Sequence, residues 1–266
     1  MGKPPVAIDV RSNADIQAFF DGLAPCFSDP HGPTRKLLDR RLRLLKKHAA
    51  VQERDTVLEI GCGRGEHLLA FLGGEHCGIG VDLSAEMIQE ARARAEVSPA
   101  RDRIVFLRGN AEDLSGLADS SVGLVFAVGA FEHMFDKSSV AQSIFRVLRP
   151  GGYFLCLSPN GDFVWYSWLA PSLKINTKHL STDVFLSRIE FGRLMSQAGF
   201  SEPKVAYWHF IPRGDLPPGW ALLLGCLDLA GRFILPSKLR GGILVKAMKP
   251  LPGEGGRKGP GGGRGV

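Results

Sequence analysis

One short stretch, VLEIGCGRG at residues 57–65, constrains the fold of this chain more than any other. The apolar run at its start is typical of a buried parallel strand. The three glycines that follow at every second position permit a sharp turn and bring a ligand close to bare backbone. The next residues, from Glu66, begin a helix whose free N–H groups would point back at that ligand. The stretch therefore predicts a nucleotide-type cofactor site.

A dinucleotide-binding turn would have another glycine directly after Gly65. The chain has Glu66 at that position, and its negative charge would oppose a pyrophosphate. The sequence thus disfavours an NAD-dependent oxidoreductase and favours a cofactor with little or no phosphate.

The turn and four later motifs resemble those of the class I S-adenosylmethionine (SAM)-dependent methyltransferases. The family's first motif is an acidic residue followed by GxGxG, matched here by Glu59, Gly61, Gly63 and Gly65. The later motifs, in the family's order, are GIGVDLS, LRGNAEDL, LVFAVGAFEHM and RVLRPGGYFL, and together the five cover residues 55–157. Within the family, the chain is similar to the type 11 and the ubiquinone and menaquinone methyltransferases, which often have a turn like FFDGLAP at residues 19–25.

This resemblance implies SAM as the cofactor and assigns residues to it. Asp82, at the end of the second strand, suits the two ribose hydroxyls because a carboxylate accepts two hydrogen bonds at once. Asn110 would read the adenine edge; Asp is commoner there, but Asn keeps a carbonyl acceptor. Cys62 is expected to pack within the turn. Glu112 and Asp113 either contact the cofactor or face solvent. The expected cofactor-binding set is Glu59, Gly61, Cys62, Gly63, Gly65, Asp82, Leu83, Asn110, Ala111, Glu112 and Val128.

Two histidines are candidates for a catalytic base, which methyl transfer needs only when the acceptor must lose a proton. His133 follows Glu132 after the fourth strand, where the family has the edge between cofactor and substrate. His179 lies in the polar segment NTKHLSTD after the fifth strand. A surface or structural role is the alternative for both. In some quinone-precursor O-methyltransferases an extra Glu lies three residues before the EH pair, and the three residues together resemble a metal site. Gly129 stands there, so no metal is predicted.

The alternation of strand and helix patterns predicts an α/β domain. The resemblance implies a Rossmann-like, mostly parallel, seven-stranded sheet with helices on both faces and an antiparallel C-terminal strand. Expected strands are Thr56–Ile60, Cys77–Asp82, Ile104–Arg108, 123–128, 153–158 and a hairpin of 204–211 with Gly242–Met248; expected helices are Glu66–Leu72, Ala85–Glu96 and 139–148. RPGG, at residues 149–152, is expected to stop the last of these helices in a turn.

Three regions are expected along the chain. Residues 1–50 form an N-terminal helical cap, with helix from 13 to 48, and residues 51–250 form the methyltransferase domain. Substrate-side insertions occupy 161–182 and 212–240. The Gly-rich tail, 251–266, is expected to be disordered.

The two insertions bear on the nature of the acceptor. FVWYSWLAPSL, at 163–173, is expected to form a loop above the site, and WALLLGCLDLAGRFIL, at 220–235, is almost wholly apolar. One interpretation is that both segments complete the hydrophobic core. The alternative is that the first forms an apolar lid over the site and the second forms an interfacial helix. The sequence predicts a methyltransferase for a small, hydrophobic acceptor such as a lipid, a quinone precursor or a similar secondary metabolite. A non-catalytic SAM-binding partner protein is the alternative, while the methylated atom and the oligomeric state stay open.

The net charge of +6 does not by itself predict nucleic-acid binding. Part of it lies in the Gly-rich tail, and more lies in residues 35–47, where leucines recur at helical spacing without an aromatic and basic stripe. The five cysteines lack CxxC or Cys–His spacing, which favours reduced thiols. No apolar signal segment or membrane-spanning run occurs. We expect a cytoplasmic enzyme, at most peripheral to a membrane, with no nucleic-acid partner.

Overall fold

The structure, a computed structural model, describes residues 7–26, 34–49, 51–52, 55–72, 76–208, 218–230 and 237–253. These residues form a seven-stranded sheet in the order β3-β2-β1-β4-β5-β7-β6. Strands β1 to β5 pair in parallel, and β7 runs antiparallel to both of its neighbours. The strands are β1 Thr56–Ile60, β2 Cys77–Asp82, β3 Ile104–Arg108, β4 Val122–Val128, β5 Leu148–Pro159, β6 Lys204–Trp208 and β7 Gly242–Met248.

Helices cover both faces of the sheet, because the central strands are apolar on both sides. All seven residues of β4 are buried, without the alternation of a strand that has one wet face. One core packs α5 and α7 on one face, and a second packs α2, α3 and α4 on the other. The helices are α1 Asn13–Leu23, α2 Thr34–His48, α3 Glu66–Leu72, α4 Ala85–Glu96, α5 Lys137–Val147, α6 Ala170–Ser172, α7 Arg188–Gln197 and α8 Pro218–Ala230.

The structure confirms the predicted fold class and places β1, β2, β3, α3, α4 and β7 at their predicted bounds. The helix before RPGG stops at Val147, one residue earlier than predicted, but the predicted turn was wrong, because β5 begins directly at Leu148. Leu148 pairs with Val122, and the register shifts before the next pair. Gly151, with a left-handed φ of 75°, lies within this irregular part of the strand, where residues 149–152 stand opposite Gly123 alone.

The first insertion is helical, which corrects the predicted loop at 163–173. A π-helical turn, Trp165–Leu169, leads into α6. Trp165 is fully buried with Phe163 and Ala170 in a small core of their own. Burial of these apolar side chains favours a compact helical segment over an open loop.

Among the described residues of the predicted N-terminal cap, α1 continues into a short 3-10 turn, Ala24–Cys26, and α2 follows. Residues 27–33 between them lie outside the described residues, as do 209–217, 231–236 and 254–266, which include parts of the second insertion and of the predicted disordered tail. Within the part of the chain that is described, no helix has the length and apolarity needed to cross a bilayer.

The strand order changes direction between β1 and β4: β2 and β3 lie on one side of β1, whereas β4 and β5 lie on the other. Ligands of open α/β sheets bind outside the carboxyl ends of the strands at such a switch point. The glycine turn after β1, the acid at the end of β2 and the turn after β4 all lie at this edge.

Candidate cofactor and acceptor site

The three glycines of the turn after β1 have different tasks. All have left-handed φ angles, of 62° at Gly61, 49° at Gly63 and 75° at Gly65. A Cβ at Gly61 would collide with Ala130, and one at Gly65 would lie 2.5 Å from the ring of Phe106. A Cβ at Gly63 would meet no described atom within 4 Å. Two glycines therefore make room for protein atoms, and Gly63 opens onto free space at the edge of the sheet.

The Asp82 carboxylate lies directly beside this turn. Its Oδ2 accepts from the Gly63 N–H at 2.8 Å, and its Oδ1 accepts from the Ser84 N–H at 2.9 Å. Burial raises the pKa of Asp82 above its ordinary value, against the opposing effect of these hydrogen bonds. Each carboxylate oxygen has a second lone pair, so the group retains acceptor capacity for a diol such as a ribose. Ser84 caps α4 by accepting from the Met87 N–H.

Glu59 lies beneath the turn with 1% of its surface exposed. Its Oε2 accepts from the Leu68 N–H at 3.0 Å, while its Oε1 has no hydrogen-bond partner among the described residues. His67 Nδ1 lies 3.6 Å from Oε1, too far for a hydrogen bond. Burial raises the pKa of Glu59 well above its ordinary value and lowers that of His67 to about 3. A buried acceptor of this kind fits a donor supplied by a ligand.

The segment after β3 is held mainly by protein contacts. The Asn110 side-chain oxygen accepts from the Glu112 N–H at 2.9 Å, which uses one of its two lone pairs. Glu112 accepts from Asn13 Nδ2 at 3.0 Å and from the Asp136 N–H at 2.9 Å, one with each oxygen. Asp113 is exposed and bonds to Ser115. Glu112 thus joins α1 to the start of α5, a structural task that its acidic character did not predict.

The remaining predicted cofactor residues are mostly buried. Cys62 is 4% exposed, and burial raises the pKa of its thiol well above the ordinary value, which fits the predicted packing role. Ala111 and Val128 are also buried, and Leu83 packs against the small cluster of apolar residues beneath α1.

The acceptor side contains a hydrogen-bonded pair that the sequence did not predict. Nδ1 of His133 lies 2.6 Å from Oδ1 of Asp183, whose side chain is fully buried. The rings of His133 and His179 have centroids 6.1 Å apart, so the structure brings the two predicted histidines together. Phe20 of α1 packs edge-on against His133 at 5.5 Å. Asp183 follows His179 by four residues in NTKHLSTD, but 50 residues separate it from His133, and no local pattern indicates the pairing.

The surroundings of His133 favour its protonated form. Burial acts to lower its pKa, but the hydrogen bond to Asp183 and the charges of Glu132 and Asp183 outweigh burial and raise the pKa above the ordinary value. Burial likewise acts to raise the pKa of Asp183, whereas its hydrogen bonds and the charge of His133 lower it on balance. Asp183 is therefore ionised at neutral pH.

The turn that carries His133, a 3-10 turn over Phe131–His133, is fixed from several sides. Lys137 Nζ donates to the carbonyl oxygens of Glu132 at 3.1 Å and Met134 at 2.8 Å, and the Glu132 carboxylate accepts from Ser158 Oγ at 3.2 Å. Gly61 packs directly against Ala130, the residue before this turn. The two turns, after β1 and after β4, are therefore in contact.

Helix α1 packs over this edge of the sheet. Its contacts are Asn13 to Glu112, Gln17 to Arg108 at 3.1 Å, Asp21 to Ser84 at 2.5 Å, and Phe20 to His133. Ahead of the helix, Ile8 forms a β-bridge with Leu180, and the Val10 N–H donates to Ser181 Oγ. The N-terminal segment thus covers the ends of β2, β3 and β4 and is tied to the segment that contains Asp183.

Among the described residues, no group of three or more His, Cys, Asp or Glu side chains is arranged to hold a metal ion. The site combines the open glycine Gly63, several carboxylates, of which Asp82 lies beside the glycine turn and Asp183 beside His133, and the neighbouring imidazoles of His133 and His179.

The strand order, the glycine turn and the acid at the end of β2 are those that the resemblance to the class I SAM-dependent methyltransferases implies. Residues 58–156 match a family model described as a methyltransferase domain. The match and the fold together support a class I SAM-dependent methyltransferase domain over this segment.

Similarity to individual proteins agrees with this class. The chain is 33% identical over 132 residues to the 27-O-demethylrifamycin SV methyltransferase of Amycolatopsis mediterranei, covering 49% of this chain and 45% of that one. It is 34% identical over 112 residues to the demethylmenaquinone methyltransferase of Symbiobacterium thermophilum, covering 41% and 44%. The matches thus span less than half the length of these two relatives.

One solved structure aligns over most of the chain. It is a complex between the Haloferax volcanii Trm112 methyltransferase activator and a methyltransferase, with 25% identity, a TM-score of 0.58, and coverage of 87% of this chain and 97% of that one. The alignment extends the common fold well beyond the segment matched by the family model.

Proposed function

We propose that the protein transfers a methyl group from SAM to a small, hydrophobic acceptor. The observation that carries the proposal is the contact between the turn after β1 and the turn after β4 at the switch point. Gly63, beside Asp82, opens onto free space, and the adjoining turn after β4 holds His133. SAM supplies an electrophilic methyl group on a sulfonium. Enzymes accelerate such a displacement mainly by aligning the reactants and excluding water.

The residues present fit this cofactor. Asp82 would accept from the ribose hydroxyls, and Gly63 would let the ligand approach the backbone. The free Oε1 of Glu59 would accept from a buried donor such as an amino group. Asn110 would use its remaining acceptor and its amide donors at the adenine edge. These assignments follow the predicted set, with Glu112 the weakest member because both of its oxygens bond to protein groups.

A hydrophobic acceptor is supported by the aromatic side chains near His133. Phe20 packs against His133, and the rings of Tyr166 and Phe185 lie 4.7 Å apart. The Val184 N–H, next to Phe185, donates to the Glu132 carbonyl, which ties this aromatic pair to the turn that carries His133. Apolar walls with a few polar groups are typical of small-molecule sites.

Contact with a membrane surface is a further part of the proposal. On α8, Leu222, Leu223 and Leu229 are 71%, 44% and 56% exposed, and Trp168 of the first insertion is 62% exposed. Large apolar side chains exposed in this way cost free energy in water and favour an interfacial position.

Two measurements test the function. Calorimetry should show binding of SAM and S-adenosylhomocysteine, with no binding of NADH. Incubation with methyl-labelled SAM and an extract of the source cells should then place the label in small molecules that partition into organic solvent. Label in protein or nucleic acid would contradict the acceptor class, and SAM binding with no transfer in any fraction would favour the non-catalytic partner role.

A further inference from the structure

Asp183 is a buried carboxylate that accepts three N–H donors. Oδ1 faces the Nδ1 atom of His133 at 2.6 Å. Oδ2 accepts from the backbone N–H groups of His179 at 2.9 Å and Leu180 at 3.0 Å. Because an ionised carboxylate has no proton to donate, Nδ1 of His133 must carry the proton in this bond.

This bond decides which nitrogen of His133 is basic. A neutral imidazole has one N–H and one lone pair, and the hydrogen bond made by one nitrogen sets the role of the other. With its proton on Nδ1, the neutral ring presents its lone pair at Nε2. By holding the proton on Nδ1, Oδ1 of Asp183 makes Nε2, on the opposite side of the ring, the basic nitrogen.

The segment that carries Asp183 is rigidly supported. The Ile8 N–H donates to the His179 carbonyl at 3.1 Å, and the Ser181 N–H donates to the Ile8 carbonyl at 2.8 Å. The backbone of Ile8 therefore holds residues 179–181 in place through both its N–H and its carbonyl group. A base that must hold one orientation needs such support from the groups around it.

We propose that Asp183 is the positioning residue that makes Nε2 of His133 the base, and that the methyl acceptor is the oxygen of a weakly acidic hydroxyl group, phenolic or enolic. This inference rests on the proposed function. In the reaction, the hydroxyl proton passes to Nε2 and the oxygen forms a bond to the methyl carbon. The carbon–sulfur bond breaks, and its electron pair stays on sulfur as the thioether of S-adenosylhomocysteine.

Oxygen is the acceptor atom that gains most from a base, as a comparison of amines, thiols and phenols shows. A neutral amine already presents its lone pair, and a thiol with a pKa of about 8.5 ionises partly near neutral pH. A phenol, with a pKa of about 10, is almost wholly protonated at that pH and gains most from an oriented base. A buried His–Asp pair is thus best matched to a hydroxyl.

The charged and titratable groups that act on His133 are Asp183, Glu132, Lys137 and the neighbouring His179. The two acids stabilise the imidazolium that forms when Nε2 takes the proton, and Lys137 opposes them. Replacing Asp183 should therefore lower the pKa of His133 as well as change its tautomer.

Nitrogen NMR of histidine-labelled protein tests the positioning role without any acceptor. Above the pKa of His133, the wild-type ring should be protonated at Nδ1. In Asp183→Asn, the one amide oxygen should stay with the two backbone N–H groups, so that the amide NH₂ faces Nδ1 and moves the ring proton to Nε2. Exposed Asp102, in the short turn Arg101–Arg103, provides the matched control, and Asp102→Asn should leave the spectrum unchanged.

A wild-type His133 protonated at Nε2 would overturn the proposal even if Asp183→Asn fails to fold. So would a folded Asp183→Asn protein whose ring proton stays on Nδ1. With the acceptor found by methyl labelling, this variant should lose turnover at least about 100-fold while its SAM affinity stays unchanged.

The labelled product tests the acceptor atom. The methyl carbon should be bonded to oxygen, as carbon NMR of the purified product would show. A product methylated on nitrogen, sulfur or carbon would refute this inference while leaving the methyltransferase function intact. Absence of any methylated product would instead count against the proposed function.

Discussion

Replacing Gly63 by Val separates a ligand-facing glycine from a structural one. The φ of 49° at Gly63 lies in the left-handed region, which costs a residue with a side chain roughly 1–2 kcal/mol. No described atom lies within 4 Å of a Cβ at this position, so the Cβ itself meets no protein atom. We expect a modest loss of stability, a fall in Tm of about 2–8 °C for a chain of this size.

Binding should respond far more strongly than stability. The valine side chain would fill the space that a cofactor needs, and we expect affinity for SAM to fall at least about 100-fold, which corresponds to roughly 2.7 kcal/mol. Titration calorimetry with SAM and S-adenosylhomocysteine measures the affinity, and circular dichroism on heating measures the stability.

Gly65→Val is the matched control. Its φ of 75° adds similar strain, but its Cβ would also lie 2.5 Å from the Phe106 ring and 3.3 Å from Ala91. Overpacking of a core costs a further 1–3 kcal/mol or so. This variant should therefore lose much more stability than Gly63→Val. If Gly63→Val binds SAM like the wild type, the turn does not approach a ligand and the assignment of the cofactor site is wrong.

Other substitutions and conditions test the remaining parts of the site. Asp82→Ala should weaken SAM binding by about 1.5–3 kcal/mol, because charge-assisted hydrogen bonds to the ribose are lost, and unchanged calorimetric affinity would contradict this. His133→Ala should lower turnover much more than SAM affinity; an equal loss in both would make it a cofactor-binding or structural residue. Because the pKa of His133 is raised, turnover should increase as pH rises through that pKa, where Nε2 becomes a free base. Protonated His133 also stabilises the fold, and this stabilisation is complete below pH 6.5. Measurements of unfolding against pH should show it being lost as pH rises through the same pKa. Wild-type protein should co-sediment with anionic liposomes, and the pair Leu222→Glu and Leu223→Glu should release it without unfolding, since both side chains are exposed. Protein that ignores liposomes would rule out the membrane contact.

Local sequence determined the cofactor half of this protein. The strands β1, β2 and β3 and the helices α3 and α4 have their predicted bounds, because continuous apolar runs and helical spacing are written in neighbouring residues. The glycine turn was equally readable, since left-handed backbone and close approach both require glycine. The acid at the end of β2 follows at a fixed distance along the chain, and the structure places it in contact with Gly63.

Tertiary structure alone decided the acceptor side. His133 and Asp183 lie 50 residues apart and meet because the turn after β4 and the segment after β5 converge at one edge of the sheet. The sequence singled out His133 and His179 but gave no sign of the carboxylate between them, because a hydrogen bond across a fold leaves no local pattern. The position of α1 over the sheet edge and the helical conformation of Trp165–Leu169 depend in the same way on which surfaces pack together. Turns and strands obey local backbone rules, whereas the partner of a buried side chain is set by packing, which only the complete fold defines.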